Sequence, residues 1–174
     1  MNSNFTKGIL TGICISFTIA TIAMGSYVFY LYQTARPGFT VSQETREFTD
    51  SEVSKITGAL VELSQISDLF GLNKTAALTT GSAAVIIGQK SPLLAKYHFA
   101  RAIQITEEIA SGSNDYNPLL ETRFHYALFL KDIGAKQEAK DYLAESLQIG
   151  LRYAPGSHWI DNIKRVQRYL EKNS

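Results

Sequence analysis

Three histidines are the side chains of this sequence best suited to acid–base chemistry or metal binding near neutral pH. They are His98, His125 and His158. No two of them stand in an H-E-x-x-H pattern, the spacing that brings two imidazoles to one helix face. His98 and His125 fall within predicted packed helices, where a hydrogen-bonded structural role is expected, and His158 falls at a helix start. The sequence therefore predicts no metal site.

The other reactive residue types form no catalytic arrangement either. Glu107 and Glu108 are adjacent, so on a helix their carboxylates diverge and do not form an acid–base pair. The segment Gly71–Thr75 ends like a phosphate-binding loop but lacks its glycines and a preceding strand. No G-x-S-x-G motif is present, and the single cysteine, Cys14, excludes an intrachain disulfide. We therefore predict that the chain is not an enzyme and holds no cofactor.

Charge is balanced over the chain. It contains 17 Lys and Arg residues and 16 Asp and Glu residues, which gives a formal net charge of +1. This balance gives no broad basic field, so we expect no nucleic-acid partner. A local basic stripe is predicted on the last helix, formed by Lys164, Arg168 and Lys172 with Arg165 beside them. It is either a solvated helix face or a contact for anionic headgroups or an acidic partner.

An uncharged apolar segment lies near the N-terminus. From Gly8 to Ala35 the sequence contains no Asp, Glu, Lys, Arg or His, and its apolar core spans residues 9–32. A helix of roughly 20 apolar residues crosses a bilayer core, and aromatic residues concentrate at its ends. Four aromatic residues crowd the C-terminal end: Tyr27, Phe29, Tyr30 and Tyr32. We therefore predict a tail over residues 1–8 and a transmembrane helix over residues 9–32 that contacts the lipid bilayer.

A cleaved signal peptide is the alternative, because residues 23–25 resemble a cleavage site. The apolar run continues to Tyr32, beyond the roughly 7–15 residues of a signal peptide, so an uncleaved anchor is favoured. A lipoprotein signal is excluded because Ile13 stands where a small residue should precede Cys14. The count of Lys and Arg residues beside the segment gives no clear orientation. A short tail before a large domain favours a C-terminal domain on the outer, periplasmic or extracytoplasmic, side.

Small residues recur at every fourth position of this segment, at Gly8, Gly12, Ser16 and Ala20. This spacing places them on one helix face, where a second transmembrane helix could approach closely. Gly, Ser and Thr are also common in membrane helices generally. The pattern therefore has two interpretations, a helix-packing face and ordinary membrane composition.

The rest of the chain divides into a linker over residues 33–48 and a helical domain over residues 49–174. In the domain, apolar residues recur at three- and four-residue steps. Three helix starts carry capping signals: Thr49-Asp-Ser-Glu52, Ser91-Pro92 and Asn117-Pro118. Six helices are predicted, over about 50–70, 73–87, 92–110, 117–133, 135–153 and 157–171. Because no alternating strand pattern is present, the predicted fold class is all-α, with antiparallel helix pairs stacked on one another.

A self-similar segment indicates that these helices form repeats. The stretch 95–105 returns 44 residues later as 139–149. Five positions are identical: Ala95/Ala139, Lys96/Lys140, Ala100/Ala144, Gln104/Gln148 and Ile105/Ile149. A match at one fixed offset is typical of stacked helical repeats, which form protein-binding surfaces more often than active sites.

The second copy resembles the second half of a tetratricopeptide repeat (TPR). The resemblance lies in the turn glycine, the Glu-Ala pair, and the large and small positions of Gly134-Ala-Lys-Gln-Glu-Ala139-x-x-x-Leu143-x-x-Ser146-Leu147. Ala127 stands at the small position where the helices cross, and the offset places Ala83, Ala95, Phe99, Ala102 and Ile103 at equivalent positions. The chain departs from the family in its 44-residue offset, against a period of roughly 34 residues, and in Lys90 at the first turn. The resemblance implies two degenerate repeats over about 75–153, completed by flanking helices.

The resemblance also implies a concave surface formed by the first helix of each pair. In this register the groove residues are Thr80, Ala84, Ile87, Phe124, Leu128 and Lys131, with Glu121 beside them. Some family members clamp a peptide carboxylate with Lys and Asn residues, which are absent here except Lys131, so that function is not expected. Either the chain's own helix over 50–70 fills this apolar groove, or a partner helix or peptide binds in it.

Together these features predict a single-pass membrane-anchored, TPR-like scaffold or accessory subunit of a membrane protein complex, acting by protein–protein interaction. The alternative is a small membrane-bound enzyme or ligand-binding protein with a pocket among the helices, where His98 or His125 would face a carboxylate. A third interpretation is a structural subunit whose own helix closes the groove and whose anchor makes all contacts.

Overall fold

A computed structural model describes residues 3–39, 48–88 and 90–172, with side chains from residue 18 onward except those of residues 38 and 39. Within these ranges the chain forms seven α-helices and no strand, which confirms the predicted all-α class. The helices are α1 (Ser3–Phe39), α2 (Asp50–Leu69), α3 (Asn73–Gly88), α4 (Pro92–Ser113), α5 (Asn117–Asp132), α6 (Lys136–Tyr153) and α7 (Trp159–Lys172). The six helices predicted after the linker correspond to α2 through α7.

The predicted membrane anchor is not supported. Among the described residues, none of the helices combines the length and the apolar character that crossing a membrane requires. The prediction of a single-pass protein with its C-terminal domain on the outer side is therefore wrong. Over its described side chains, α1 interleaves apolar residues with Thr18, Thr21 and Ser26, and such hydroxyl groups lower the mean hydropathy. Farther along the helix, Leu31 and Ala35 are buried against protein.

Helix α1 is the first helix of the stack. It continues through Pro37 to Phe39, so the first part of the predicted linker is helical. Val28, Leu31 and Ala35 recur at steps of three and four residues and belong to the apolar cluster that joins α1 to α2 and α3. Burial of this stripe supplies tertiary packing that stabilises the C-terminal part of the helix.

Local sequence signals explain several helix boundaries. Thr49 and Glu52 form the predicted capping box: the Glu52 N–H donates to the Thr49 hydroxyl, and the Thr49 N–H donates to the Glu52 carboxylate. Ser91 precedes α4 without a side-chain cap. The α4 helix runs beyond its predicted end, and Asn114 terminates it in the left-handed conformation, with φ of 56°. Gly134, with φ of 84°, forms the turn between α5 and α6.

The sequence repeat has a matching structural repeat. Helices α5 and α6 begin at Asn117 and Lys136, each 44 residues after the starts of α3 and α4 at Asn73 and Pro92. Equivalent positions are buried in both copies: Ala83/Ala127, Ala95/Ala139, Phe99/Leu143 and Ala102/Ser146. Small residues let the two helices of a pair cross closely, and large residues fill the adjacent space. The residues that recur in the two copies therefore occupy equivalent packing positions.

Helix α2 carries the same packing pattern. Ile56, Ala59 and Leu60 are buried with the large–x–x–small–large spacing of residues 99–103 on α4. This makes α1 and α2 a third helix pair, and α7 packs on α5 and α6 at the other end. Odd-numbered helices contact one another along the stack, α1 with α3, α3 with α5, and α5 with α7. They form one layer, and α2, α4 and α6 form the other.

The core lies between these layers in two main clusters that meet at α3. One cluster, around the fully buried Phe99, Leu130 and Leu143, joins α3 through α7. The other, around Leu60 and Ile86, joins α1, α2 and α3. Helix α3 can serve both clusters because its small residues allow neighbours on two sides.

Candidate protein-binding groove

An open apolar groove lies between α1, α2 and α3. It has a volume of 790 Å³. It is lined by residues from α1, from α2, from the turn that follows α2, and from α3: Gly25, Val28, Phe29, Tyr32, Leu63, Ile66, Ser67, Phe70, Leu72, Thr75, Leu78 and Thr79. We call this cavity the α1–α3 groove.

The α1 side of the groove follows from the two apolar faces of that helix. Leu31 and Ala35 occupy the face that is buried in the stack. Gly25, Phe29 and Tyr32 recur at steps of four and three residues on a neighbouring face, which lines the groove. Because α1 is apolar on both faces, packing of one face leaves the other uncovered.

The opposite side is formed where α2 turns into α3. Gly71, with φ of 67°, reverses the chain direction in a conformation that favours glycine. Phe70 and Leu72 flank this turn and are 63% and 55% exposed. On α3, Leu78 is also exposed and faces the same cavity. The turn and the start of α3 therefore display large apolar side chains at the edge of the groove.

The groove carries no formal charge. None of its lining residues is Asp, Glu, Lys, Arg or His. The polar Ser67 and Thr79 are buried, and the Thr79 hydroxyl donates to the backbone carbonyl of Thr75 at 2.9 Å. The Thr79 hydroxyl therefore has its hydrogen-bond partner within α3. The groove could therefore hold a ligand chiefly by burial of apolar surface.

An exposed apolar segment adjoins the groove. Every described side chain of α1 from Thr18 to Tyr27 is exposed. Ile19 and Ile22 are 62% and 63% exposed. Contiguous exposed apolar surface of this kind is characteristic of interaction sites.

A hydrogen bond fixes α1 on α2 beside the groove. The Tyr27 hydroxyl donates to the carboxylate of Glu62. This hydrogen bond, with smaller contributions from desolvation and nearby charge, raises the pKa of Tyr27 above its ordinary value. The contact adds to the packing of Val28, Leu31 and Ala35, the stripe that orients α1 on α2 and α3.

The groove predicted from the TPR resemblance lies elsewhere, and its α3 half is covered. Thr80, Ala84 and Ile87 are all buried. The Thr80 hydroxyl lies 2.6 Å from the hydroxyl of Ser64 on α2, so α2 packs directly on this helix. The contact with α2 is made at Thr80, whereas Ala84 and Ile87 are buried in the core cluster shared with α4 to α7.

The α5 half of that predicted groove is partly covered by α7. Phe124 and Leu128 are half-buried. The centre of the Phe124 ring lies 5.3 Å from the centre of the Trp159 ring of α7. Lys131 is half-buried and forms an ion pair with Asp132 at 2.9 Å. The six predicted residues thus do not combine into one open surface.

The remaining predicted sites are placed as follows. Lys164, Arg168 and Lys172 are exposed on α7, as the basic stripe requires. Of the four small residues on the predicted packing face, Ala20 is exposed, and the side chains of Gly8, Gly12 and Ser16 lie outside those described.

Two of the three histidines, His98 and His125, lie in distinct environments. His125 packs its ring 5.8 Å from the Trp159 ring, and desolvation lowers its pKa although Glu121 acts in the opposite direction. His98 lines a polar cleft of 250 Å³ between α2 and α4, with Asp68 and Arg101 among its other lining residues, and desolvation lowers the pKa of His98 too. Among the described residues, no cluster of three His, Cys, Asp or Glu side chains is placed to hold a metal ion.

The sequence contained a signal for the α1–α3 groove that was assigned to a membrane anchor. The aromatic residues of α1 predict an interfacial belt, whereas in the structure Phe29 and Tyr32 line the cavity. A second signal was Phe70-Gly-Leu72, a turn with large apolar residues on both sides of its glycine. Placing both signals at one site required the packing of α1 on α2, which periodicity alone does not specify.

Comparison of the sequence with models of known protein families found no match. Comparisons with curated proteins and with solved structures also found none.

Proposed function

We propose that this chain is a TPR-like interaction scaffold whose α1–α3 groove binds an apolar helical segment of a protein. The observation that carries the proposal is the groove itself, an uncharged cavity rimmed by Phe29, Phe70, Leu72 and Leu78 at more than half exposure. Two further features support it: the helix pairs repeated at a 44-residue offset, and the layer of odd-numbered helices. Helical stacks of this type present extended surfaces to other proteins.

A helix is the ligand shape that this groove favours. An amphipathic helix presents an apolar stripe at steps of three and four residues, which matches a trough between packed helices. Binding of an extended peptide by strand addition needs an exposed sheet edge, and the described residues form no strand.

The alternative of a ligand-binding protein has one supporting observation, the polar cleft that contains His98, Asp68 and Arg101. Its 250 Å³ is below the roughly 300–1,000 Å³ of typical small-molecule sites. Arg101 and Asp68 also pair with each other at 3.2 Å, which uses part of their binding capacity. The α1–α3 groove is therefore the better-supported site.

Site-specific photo-crosslinking tests the proposal. A benzophenone amino acid replaces Phe70 in the groove or, as the matched control, Tyr97, which is 66% exposed on α4. Irradiation in cells should give a discrete protein adduct at position 70 and little at position 97. The absence of any adduct at position 70, or equal adducts at both positions, would contradict a binding role for the groove.

A further inference from the structure

We infer that the occupant of the α1–α3 groove is a second copy of this chain, docked about a two-fold axis that runs close to Gly25. This inference rests on the proposed function, because it names the partner of the same groove. It assigns the exposed segment of α1 and the groove to one interface.

The first observation is that one face of the molecule holds both the α1–α3 groove and an exposed apolar ridge, the part of α1 from Thr18 to Tyr27. Ile22, Gly25, Phe29 and Tyr32 follow one another at steps of three, four and three residues, so they share a face of α1. The second half of this face lines the groove, and the first half continues past it as an exposed apolar helix. A two-fold interface requires a self-complementary surface, since each copy must offer what the other accepts. Antiparallel docking places the α1 ridge of each copy at the groove of the other.

The second observation is the amount of apolar surface on this face. Seven large side chains, four on α1 and three on the groove rim, are each more than half exposed: Ile19, Ile22, Phe29, Tyr32, Phe70, Leu72 and Leu78. At roughly 100 Å² of exposed surface for each, they amount to about 700 Å² per copy. A standard stable interface buries about 800 Å² per partner. If all of this face were covered, two copies would bury about 1,400 Å² in total, within the roughly 1,200–2,000 Å² of stable interfaces.

The third observation concerns charge and space near the axis. In a two-fold contact, residues near the axis meet their own copies, so any charge there would face a like charge. From Thr18 to Tyr32 no residue is charged, and none of the groove lining is. A Cβ atom built on Gly25 would meet nothing within 4 Å, so this position is open. Two α1 helices can approach most closely where such a residue lies.

The test is the mass of the purified full chain by sedimentation equilibrium. We expect twice the 19.3 kDa of one chain at concentrations on the order of 10 μM. The Phe29→Arg variant, which places like charges in the interface, should be monomeric, with its helical circular dichroism retained. The matched control is Tyr97→Arg, at an equally exposed aromatic residue on α4, which should remain dimeric.

A second measurement remains informative if Phe29→Arg fails to fold. In a Cys14→Ser background, Gly25→Cys should form a disulfide-linked dimer under mild oxidation, whereas Leu93→Cys, at an 82% exposed position on α4, should not. A monomeric wild-type chain, or equal crosslinking at both positions, overturns the inference.

The photo-crosslinking at position 70 separates this inference from the proposed function. An adduct with the mass of two chains supports both. A monomeric chain whose position 70 crosslinks to a different protein overturns the dimer and leaves the scaffold function standing. A monomeric chain with no adduct overturns both.

Discussion

The guanidinium of Arg123 on α5 donates from Nε to the hydroxyl of Ser146 on α6, across 3.1 Å. Arg123 is only 4% exposed, and its guanidinium carbon lies 4.2 Å from the centre of the Tyr142 ring. Its Nη2 lies 2.5 Å from a Glu145 carboxylate oxygen, in an ion pair without hydrogen-bond geometry. Desolvation is the main cause that raises the pKa of Tyr142 to about 12, so this ring is neutral beside the cation at neutral pH. The repeat's small position at Ser146 thus holds a buried arginine.

We expect the Arg123→Ala variant to lower the free energy of unfolding by about 2–3 kcal/mol. It removes the Ser146 hydrogen bond, the contact with the Tyr142 ring and the packing of a buried side chain. Urea denaturation followed by circular dichroism measures the change. The control is Arg101→Ala, because Arg101 is 39% exposed in its ion pair with Asp68 and should cost less than about 1 kcal/mol. Equal losses in the two variants would show that the Arg123 cluster is no more important than a surface pair.

Two helical glycines should respond to alanine with opposite signs. Gly58 lies in the exposed middle of α2, where an added Cβ meets nothing within 4 Å. Gly58→Ala should therefore raise the free energy of unfolding by about 0.5–1 kcal/mol, through better helix propensity. A Cβ on Gly88 would lie 2.9 Å from two ring carbons of Phe129, whose ring is buried against Phe99. Gly88→Ala should therefore lower the free energy of unfolding by about 1–3 kcal/mol. Thermal unfolding of both variants checks the signs, and a stabilised Gly88→Ala would contradict this packing.

The local elements of this fold were largely predictable from sequence. The capping box at Thr49, the Gly134 turn and the 44-residue repeat all act through residues near one another in the chain or at one fixed offset. The features that could not be predicted depend on which apolar helix faces pack against each other. The α1 helix has apolar residues on two faces, a pattern that fits a lipid environment as well as a helix stack.

The candidate site was missed for the same reason. The α1–α3 groove combines Phe29 of α1 with Phe70 and Leu78, which are far apart in the sequence. Register within the repeat instead directed attention to Thr80 and Phe124, the first of which α2 covers. Periodicity locates an apolar face, but only the arrangement of neighbouring helices decides whether that face stays open.

Trp159 should contribute strongly to the docking of α7. Its ring lies 5.3 Å from that of Phe124 on α5 and 5.8 Å from that of His125. Trp159→Ala should lower the free energy of unfolding by about 2–4 kcal/mol, because it leaves a space between α5 and α7. Circular dichroism during urea denaturation measures this loss. Leu93→Ala, at a side chain that is 82% exposed, is the control and should change stability by less than about 0.5 kcal/mol. A loss in Trp159→Ala no larger than the control's would show that α7 is held by other contacts.

The same interface should make stability depend on pH. Desolvation beside Trp159 lowers the pKa of His125 below its ordinary 6.5. Below pH 6.5 the unfolded chain therefore binds a proton that the folded chain does not yet take up, so stability falls as pH decreases. The loss begins near pH 6.5, is limited to about 1.4 kcal/mol per pH unit for one group, and ends below the folded-state pKa. This window is separate from that of Asp115, whose pKa lies below 3.8 because Lys74 donates a hydrogen bond to it.

Urea denaturation of the wild type and of His125→Gln between pH 7.5 and 5 measures this dependence. The variant should lose much of the slope, and the remainder comes from His98, whose pKa is also lowered by desolvation. Trp159 is the only tryptophan, so its fluorescence reports the α5–α7 interface directly. In the wild type, the free energy of unfolding measured by this fluorescence should show the same pH dependence. An unchanged slope in His125→Gln would mean that protonation of this histidine costs the folded state nothing.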